Sequence, residues 1–225
     1  MQCWEYGRFV TGATTRRWSD GAQVKIVKQL EKTRSVAGYT DSFYEVQVSG
    51  AMKTLWGGEL ANAAYPLSDG SVFLARVVGT GTGKLRQVEA RLHTGRNTLR
   101  FPTVEVQETA RFGYSLGVLA SGGRGLAGVE RIFRLKFTYE ACDYPNGEVI
   151  LLQRGSQLVL GPRALSSSNE VGSQTYRLVF PCDPGGRPNQ IRELATVTAR
   201  DENGKILRQK TTVTAHHWTG SRVIK

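Results

Sequence analysis

Residues 193–215 constrain the fold more than any other stretch of the chain. Two runs rich in β-branched residues flank Asp201-Glu202-Asn203-Gly204-Lys205. Asn and Gly both tolerate positive φ, as tight hairpin turns require, so the pattern predicts a hairpin with a two-residue Asn203-Gly204 turn. Strand alternation puts Ala195, Val197 and Ala199 on one face, with Thr196, Thr198 and Arg200 on the other. On the second strand Leu207, Val213 and Ala215 share a face, and Arg208, Lys210, Thr212 and Thr214 take the opposite one. The expectation is a hairpin with one dry and one wet face, which needs a second layer to cover it.

The remaining 200-odd residues must supply that layer. A chain of 225 residues holds one large β domain or two of ordinary size. With 40% hydrophobic and 22% charged residues it has the composition of a folded globular protein, neither disordered nor membrane-like. No apolar run approaches the ~20 residues that span a bilayer. The start, Met-Gln-Cys-Trp-Glu-Tyr-Gly-Arg, lacks the apolar core of a signal peptide, which predicts synthesis in the cytoplasm. The net charge of +11 is spread evenly: residues 1–125 hold 16 Lys/Arg and 10 Asp/Glu (+6), and residues 126–225 hold 14 and 9 (+5). Such a charge suits nucleic acid or acidic protein neighbours.

Along the chain, Trp4, Tyr6, Phe9 and Trp18 stand among glycines and threonines, the pattern of an arm that docks on its own domain or on a neighbouring subunit. Residues 22–32 are the best helix candidate, with Val24, Val27 and Leu30 at helical spacing; Val24 and Ile26 also fit a strand. Residues 43–49 alternate with Tyr44, Val46 and Val48 on one face. Residues 50–70 read as a loop around an exposed Trp56. Residues 71–78 read as a strand and 84–93 as its hairpin partner, with a helix burying Leu85, Val88 and Leu92 as the rival; 103–108 reads as a short strand and 112–120 as an apolar segment broken by Gly113 and Gly117. The glycine cluster 121–125 marks a domain boundary, with a β-rich N-terminal region (1–125) before it.

After the boundary, Phe133, Leu135, Phe137 and Tyr139 alternate with Arg134, Lys136, Thr138 and Glu140. Residues 148–153 and 157–160 read as strands and 161–173 as a loop. Residues 175–180 point Tyr176, Leu178 and Phe180 inward. Six strands at this spacing predict a β-sandwich over 126–225. The terminal Thr/Val strands around Asp-Glu-Asn-Gly-Lys resemble the last hairpin of bacterial immunoglobulin-like modules. The resemblance covers about the final hundred residues and implies an immunoglobulin-like sandwich with an adhesive or structural role. The fold class expected is mostly β, with at most one short helix.

Motifs for chemistry are sparse. Gly79-Thr-Gly-Thr-Gly-Lys84 lacks the spacing and the hydroxyl after lysine that a phosphate-binding loop needs, so it reads as a hairpin turn. Gly123-Arg-Gly125-Leu-Ala-Gly128 matches G-x-G-x-x-G but leads into a strand and not a helix, so no cofactor is expected there. His216 and His217, adjacent on a strand, face opposite ways, which predicts no shared metal. Cys3, Cys142 and Cys182 lack paired zinc spacing. Cys142 and Cys182 read as buried hydrophobes in a reduced protein, or as an inter-sheet bridge in an oxidising compartment.

One basic cluster stands out: Lys84, Arg86, Arg91, Arg96 and Arg100, interrupted by Glu89. It is the candidate contact for nucleic acid or an acidic partner. Arg86 and Arg91 fall on opposite faces of a strand, which favours a solvated surface over a continuous groove. The residues thus predict a non-enzymatic structural or interaction protein. It would be a subunit of a larger oligomer or hetero-assembly with other protein subunits, such as a phage virion or secretion machine. A nucleic-acid-binding protein is the alternative.

Overall fold

The computed structural model describes residues 15–17, 23–36, 39–61, 63–80, 85–94, 97–107, 114–139 and 146–225. These residues are mostly β, with one 3-10 turn at Gly57–Glu59. No helix among them is long and apolar enough to cross a membrane. The arm residues Trp4, Tyr6, Phe9 and Trp18 and the cysteines Cys3 and Cys142 lie outside the described residues.

The first sheet is β1 (Thr15–Arg17), β2 (Gln23–Val36), β3 (Tyr39–Val48) and β4 (Ala51–Trp56), in that order. The helix expected over 22–32 is instead most of β2. Val24 and Ile26 alternate onto a cluster with Tyr44, Val46 and Val48 of β3, while Val27 is exposed. Two β-branched residues two apart meeting a ready strand outweigh a helical spacing that no second helix receives. Residues 50–70 are not a plain loop either. They hold β4, the 3-10 turn and β5 (Ala63–Pro66), and Trp56 is buried. Its indole Nε1 donates to the carbonyls of Arg34 (3.0 Å) and Asp41 (3.1 Å). Gly57 and Gly58 allow this, since a Cβ on either would collide with the Asp41 carboxylate or the Trp56 ring.

The second sheet adds β6 (Val72–Thr80), β7 (Leu85–Thr94), β8 (Asn97–Arg100) and β9 (Val104–Gln107) to β5. The expected hairpin of β6 and β7 is present, and β8 and β9 share the far edge of β7 in succession.

The third sheet runs in chain order: β10 (Tyr114–Gly122), β11 (Arg131–Tyr139), β12 (Asn146–Arg154), β13 (Gln157–Asn169), β14 (Gly172–Val179), β15 (Gln190–Arg200), β16 (Ile206–Trp218) and β17 (Val223–Ile224). The order is a meander, whereas immunoglobulin sandwiches are built with Greek-key connections. The glycine cluster forms the turn between β10 and β11, two neighbours of one sheet. β13 continues through the segment expected as a loop. Its Gly161 and Pro162 oppose the single Ile150, a bulge that suits proline because the extra residue leaves the ladder. Beyond the bulge β13 stays paired with β12 through Ser166 and then pairs with β14 at residues 167–169, so it is the corner strand between two packed layers.

β11 and β12 lie between two cores. On one side Phe133, Leu135, Phe137 and Leu151 pack on Phe73, Val88, Leu92 and Phe101 of the second sheet. Phe73 and Phe133 stack with centroids 4.4 Å apart, and Phe101 meets Phe133 edge-on at 5.8 Å. On the other side Ile132, Ile150 and Leu152 pack on Leu178, Phe180, Ile191 and Trp218. The inward reading of Tyr176, Leu178 and Phe180 agrees with this core. Trp218 Nε1 donates to the Ala127 carbonyl at 2.8 Å, closing the chain end onto the glycine cluster. Arg134, read from the sequence as pointing to solvent, grips the fully buried carboxylate of Glu148 with Nε at 2.7 Å and Nη2 at 2.6 Å. Cys182 is exposed in the turn after β14, and its N–H donates to the Arg124 carbonyl.

Candidate functional site

Of the basic cluster, Arg91 and Arg100 are the residues whose side chains the structure describes. Lys84 and Arg96 lie outside the described residues, and Arg86 sits on β7 opposite Val106 of β9. Arg91 and Arg100 are register partners on β7 and β8. Between them Glu89 binds three guanidinium groups. Arg91 Nε and Nη2 reach it at 2.9 Å, Arg76 Nη2 at 3.0 Å, and Arg100 Nη1 stands 3.9 Å away. The Arg91 side chain is 13% exposed and that of Arg100 is 67%. Burial pushes the Glu89 carboxyl up, but hydrogen bonds and charge from Arg91 and Arg76 outweigh it and hold the group below its ordinary value. The Arg91 charge is therefore paired inside the fold, while Arg100 stays exposed.

A second carboxylate ties this region to the third sheet. Asp69 accepts from the Ser71 hydroxyl at 2.5 Å and from its N–H at 2.9 Å, and pairs with Arg131 of β11. The Ser71 hydroxyl, then Arg131, hold its carboxyl well below the usual carboxylate range. Both clusters read as structural pairings.

The open chemistry lies at the outer end of the β14–β16 layer. The hairpin turn there is not the expected two-residue type. Gly204 N–H donates to the Asp201 carbonyl at 2.9 Å, and Gly204 alone carries positive φ (78°). The Asp201 carboxylate accepts from the N–H groups of Asn203 (3.0 Å) and Lys205 (2.8 Å). This is a three-residue loop closed by a glycine bulge, and a second bulge follows at Leu207, between the Arg200–Ile206 and Ala199–Arg208 pairs.

The two irregularities offset each other, so beyond Leu207 the strands pair as a two-residue turn would have paired them. Val197 stands opposite Lys210 and Ala199 opposite Arg208, while Leu194 stands opposite Val213. The aliphatic sets expected to share a dry face are thus on opposite faces of the hairpin. Val197 is 52% exposed, Leu207 65% and Val213 50%, and Ile206 and Val171 are exposed beside them. Thr198, read as wet, is buried. Between the β13–β14 turn and β15, residues Ser168, Asn169, Val171, Gln174 and Val197 line an open concavity of about 420 Å³.

β16 also presents an unpaired edge. Among the described residues its outer side meets only β17, at His217 and Trp218, and residues 206–213 are all exposed. At the inner end His216 lies 3.2 Å from the Glu193 carboxylate, on the other face from His217. These surface features were not read from the sequence. β14 pairs β15 from Arg192 to Ala199, and β16 beyond it is exposed over residues 206–213, so the overhang is the free outer edge and end of the hairpin. No protein-family model, curated protein or solved structure matches the chain.

Proposed function

We propose that the chain is a non-enzymatic interaction protein, a subunit of a larger assembly such as a phage virion or a secretion machine. Its contact surface is the overhang of β15 and β16. The observation that carries this reading is that Val171, Val197, Ile206, Leu207 and Val213 are all exposed on one hairpin and the turn beside it, on both faces of the layer. Scattered surface aliphatics need no explanation, but a cluster at a projecting sheet end is the usual mark of a protein contact. The nucleic-acid alternative draws less support, because Glu89 already neutralises part of the cluster around Arg91.

Site-specific photo-crosslinkers at positions 207 and 213, with Glu130 as an exposed control position, test the reading in the producing cell. Discrete adducts from 207 and 213 and none from 130 are expected. Absence of adducts at all three would sink it. Micromolar or tighter duplex DNA binding at physiological salt, lost in Arg91→Ala with Arg96→Ala, would put the alternative in its place. About five phosphate contacts would then give a log–log salt slope near −4 to −5.

A further inference from the structure

We propose that the outer edge of β16 takes an extended acidic segment of a partner protein as an added strand. This rests on the assembly reading above and names the chemistry of the partner. Three observations carry it. First, over residues 206–216 every second residue directs its N–H and C=O away from β15, and no described strand receives them. Second, the side chains flanking that edge are sorted by face. Arg208 and Lys210 project with Val197 and Ala199 on one face, and Gln209, Thr211 and Val213 on the other, with Leu207 at the bulge between Ile206 and Arg208. Third, β16 contains no acidic residue.

The sorting defines the partner. A strand laid along β16 meets two cations two residues apart on one face, and the aliphatic Val213 on the other. The complementary segment has carboxylates at two positions of the same parity and an apolar residue of the other parity, in the manner of Val-Glu-Thr-Glu-Thr-Thr-Val. Opposite charges and aliphatic pairs facing across a ladder each add stability. A second copy of this chain is a poor occupant. Symmetric antiparallel pairing in one continuous sheet brings Arg208 and Lys210 onto the same face as their own counterparts, and cations on an edge are a common device against such pairing.

The test uses the full-length chain and a fluorescein-labelled peptide of that pattern, read by anisotropy at low and physiological salt. Three controls accompany it: the peptide with Lys in place of Glu, the peptide N-methylated at alternate backbone positions, and the exposed-site variant Arg208→Glu with Lys210→Glu. Saturable binding of the acidic peptide is expected. It should weaken at least about tenfold in the charge-reversed variant and be lost on N-methylation. Equal binding of the N-methylated peptide would reduce the effect to charge attraction and overturn strand addition, as would no binding at all. A concentration-dependent dimer abolished by Thr211→Pro would assign the edge to a second copy, and overturns the proposal too. Crosslinks at 207 and 213 without peptide binding would sink this inference while leaving the assembly reading standing. Failure of both would remove both.

Discussion

Val197 on β15 stands directly opposite Lys210 on β16. That pairing gives each face of the overhang an aliphatic strip from one strand and polar or charged residues from the other. Neither face is a core face, which is why Val197 and Val213 remain about half exposed with the layer fully formed. The overhang is a surface of alternating character, suited to holding another chain and not to packing on its own domain.

The turn that joins the two strands depends on Gly204. A β-branched side chain at its φ of 78° is sterically opposed. Gly204→Val is expected to cost about 1–2 kcal/mol, read as a lowered denaturant midpoint, while Asn203→Ala stays within about 0.5 kcal/mol as an ordinary surface change. Equal effects at the two positions would contradict the single left-handed residue.

Glu148 is fully buried, and Arg134 is its bidentate partner. Arg134→Met leaves a buried carboxylate short of its counter-charge and should destabilise by about 3–5 kcal/mol. The double variant Arg134→Met with Glu148→Leu should recover most of that loss, because it removes the buried charge as well as its partner. A double-mutant cycle in urea measures the coupling, and additive losses would refute it.

Acid should weaken the fold in a defined window. Glu89 and Asp69 both hold their protons less tightly in the folded state than in the unfolded chain. The unfolded state therefore binds more protons as pH falls through the ordinary carboxylate range, and stability falls with it. The contribution of Glu89 is complete above its ordinary value of 4.5 and is lost as pH drops through its lower folded value. Urea midpoints taken from about pH 7 to pH 3 should decline, and Glu89→Gln should flatten the decline. A slope unchanged by that substitution would show that Arg91 and Arg76 do not depend on the carboxylate.

Residues 126–225 contain the whole of the core around Trp218, but only half of the core around Phe133. Expressed alone, this segment is expected to melt cooperatively with Trp218 shielded from quencher. It should also bind a hydrophobic dye through Phe133, Leu135, Phe137 and Leu151, which the second sheet covers in the full chain. A non-cooperative melt would show that residues 63–107 are needed for both cores.

Where information was local, the sequence by itself determined the outcome. Period-two alternation is written residue by residue, so the strands around Val46, Phe133 and Leu178, and the mostly-β class, were legible without any partner. What only the tertiary structure decided are the relationships between strands. Whether residue 197 meets 209 or 210 depends on one bulge at Leu207, and a slip of one moves every side chain to the other face. The loop expected around Trp56 is ordered by carbonyls of Arg34 and Asp41, 22 and 15 positions away along the chain. Arg91, read as solvated, is drawn onto Glu89, and Arg76 of the neighbouring strand comes into register with the same carboxylate. Pairing energies of this kind are set by which strands become neighbours, and no single stretch of chain encodes its neighbour.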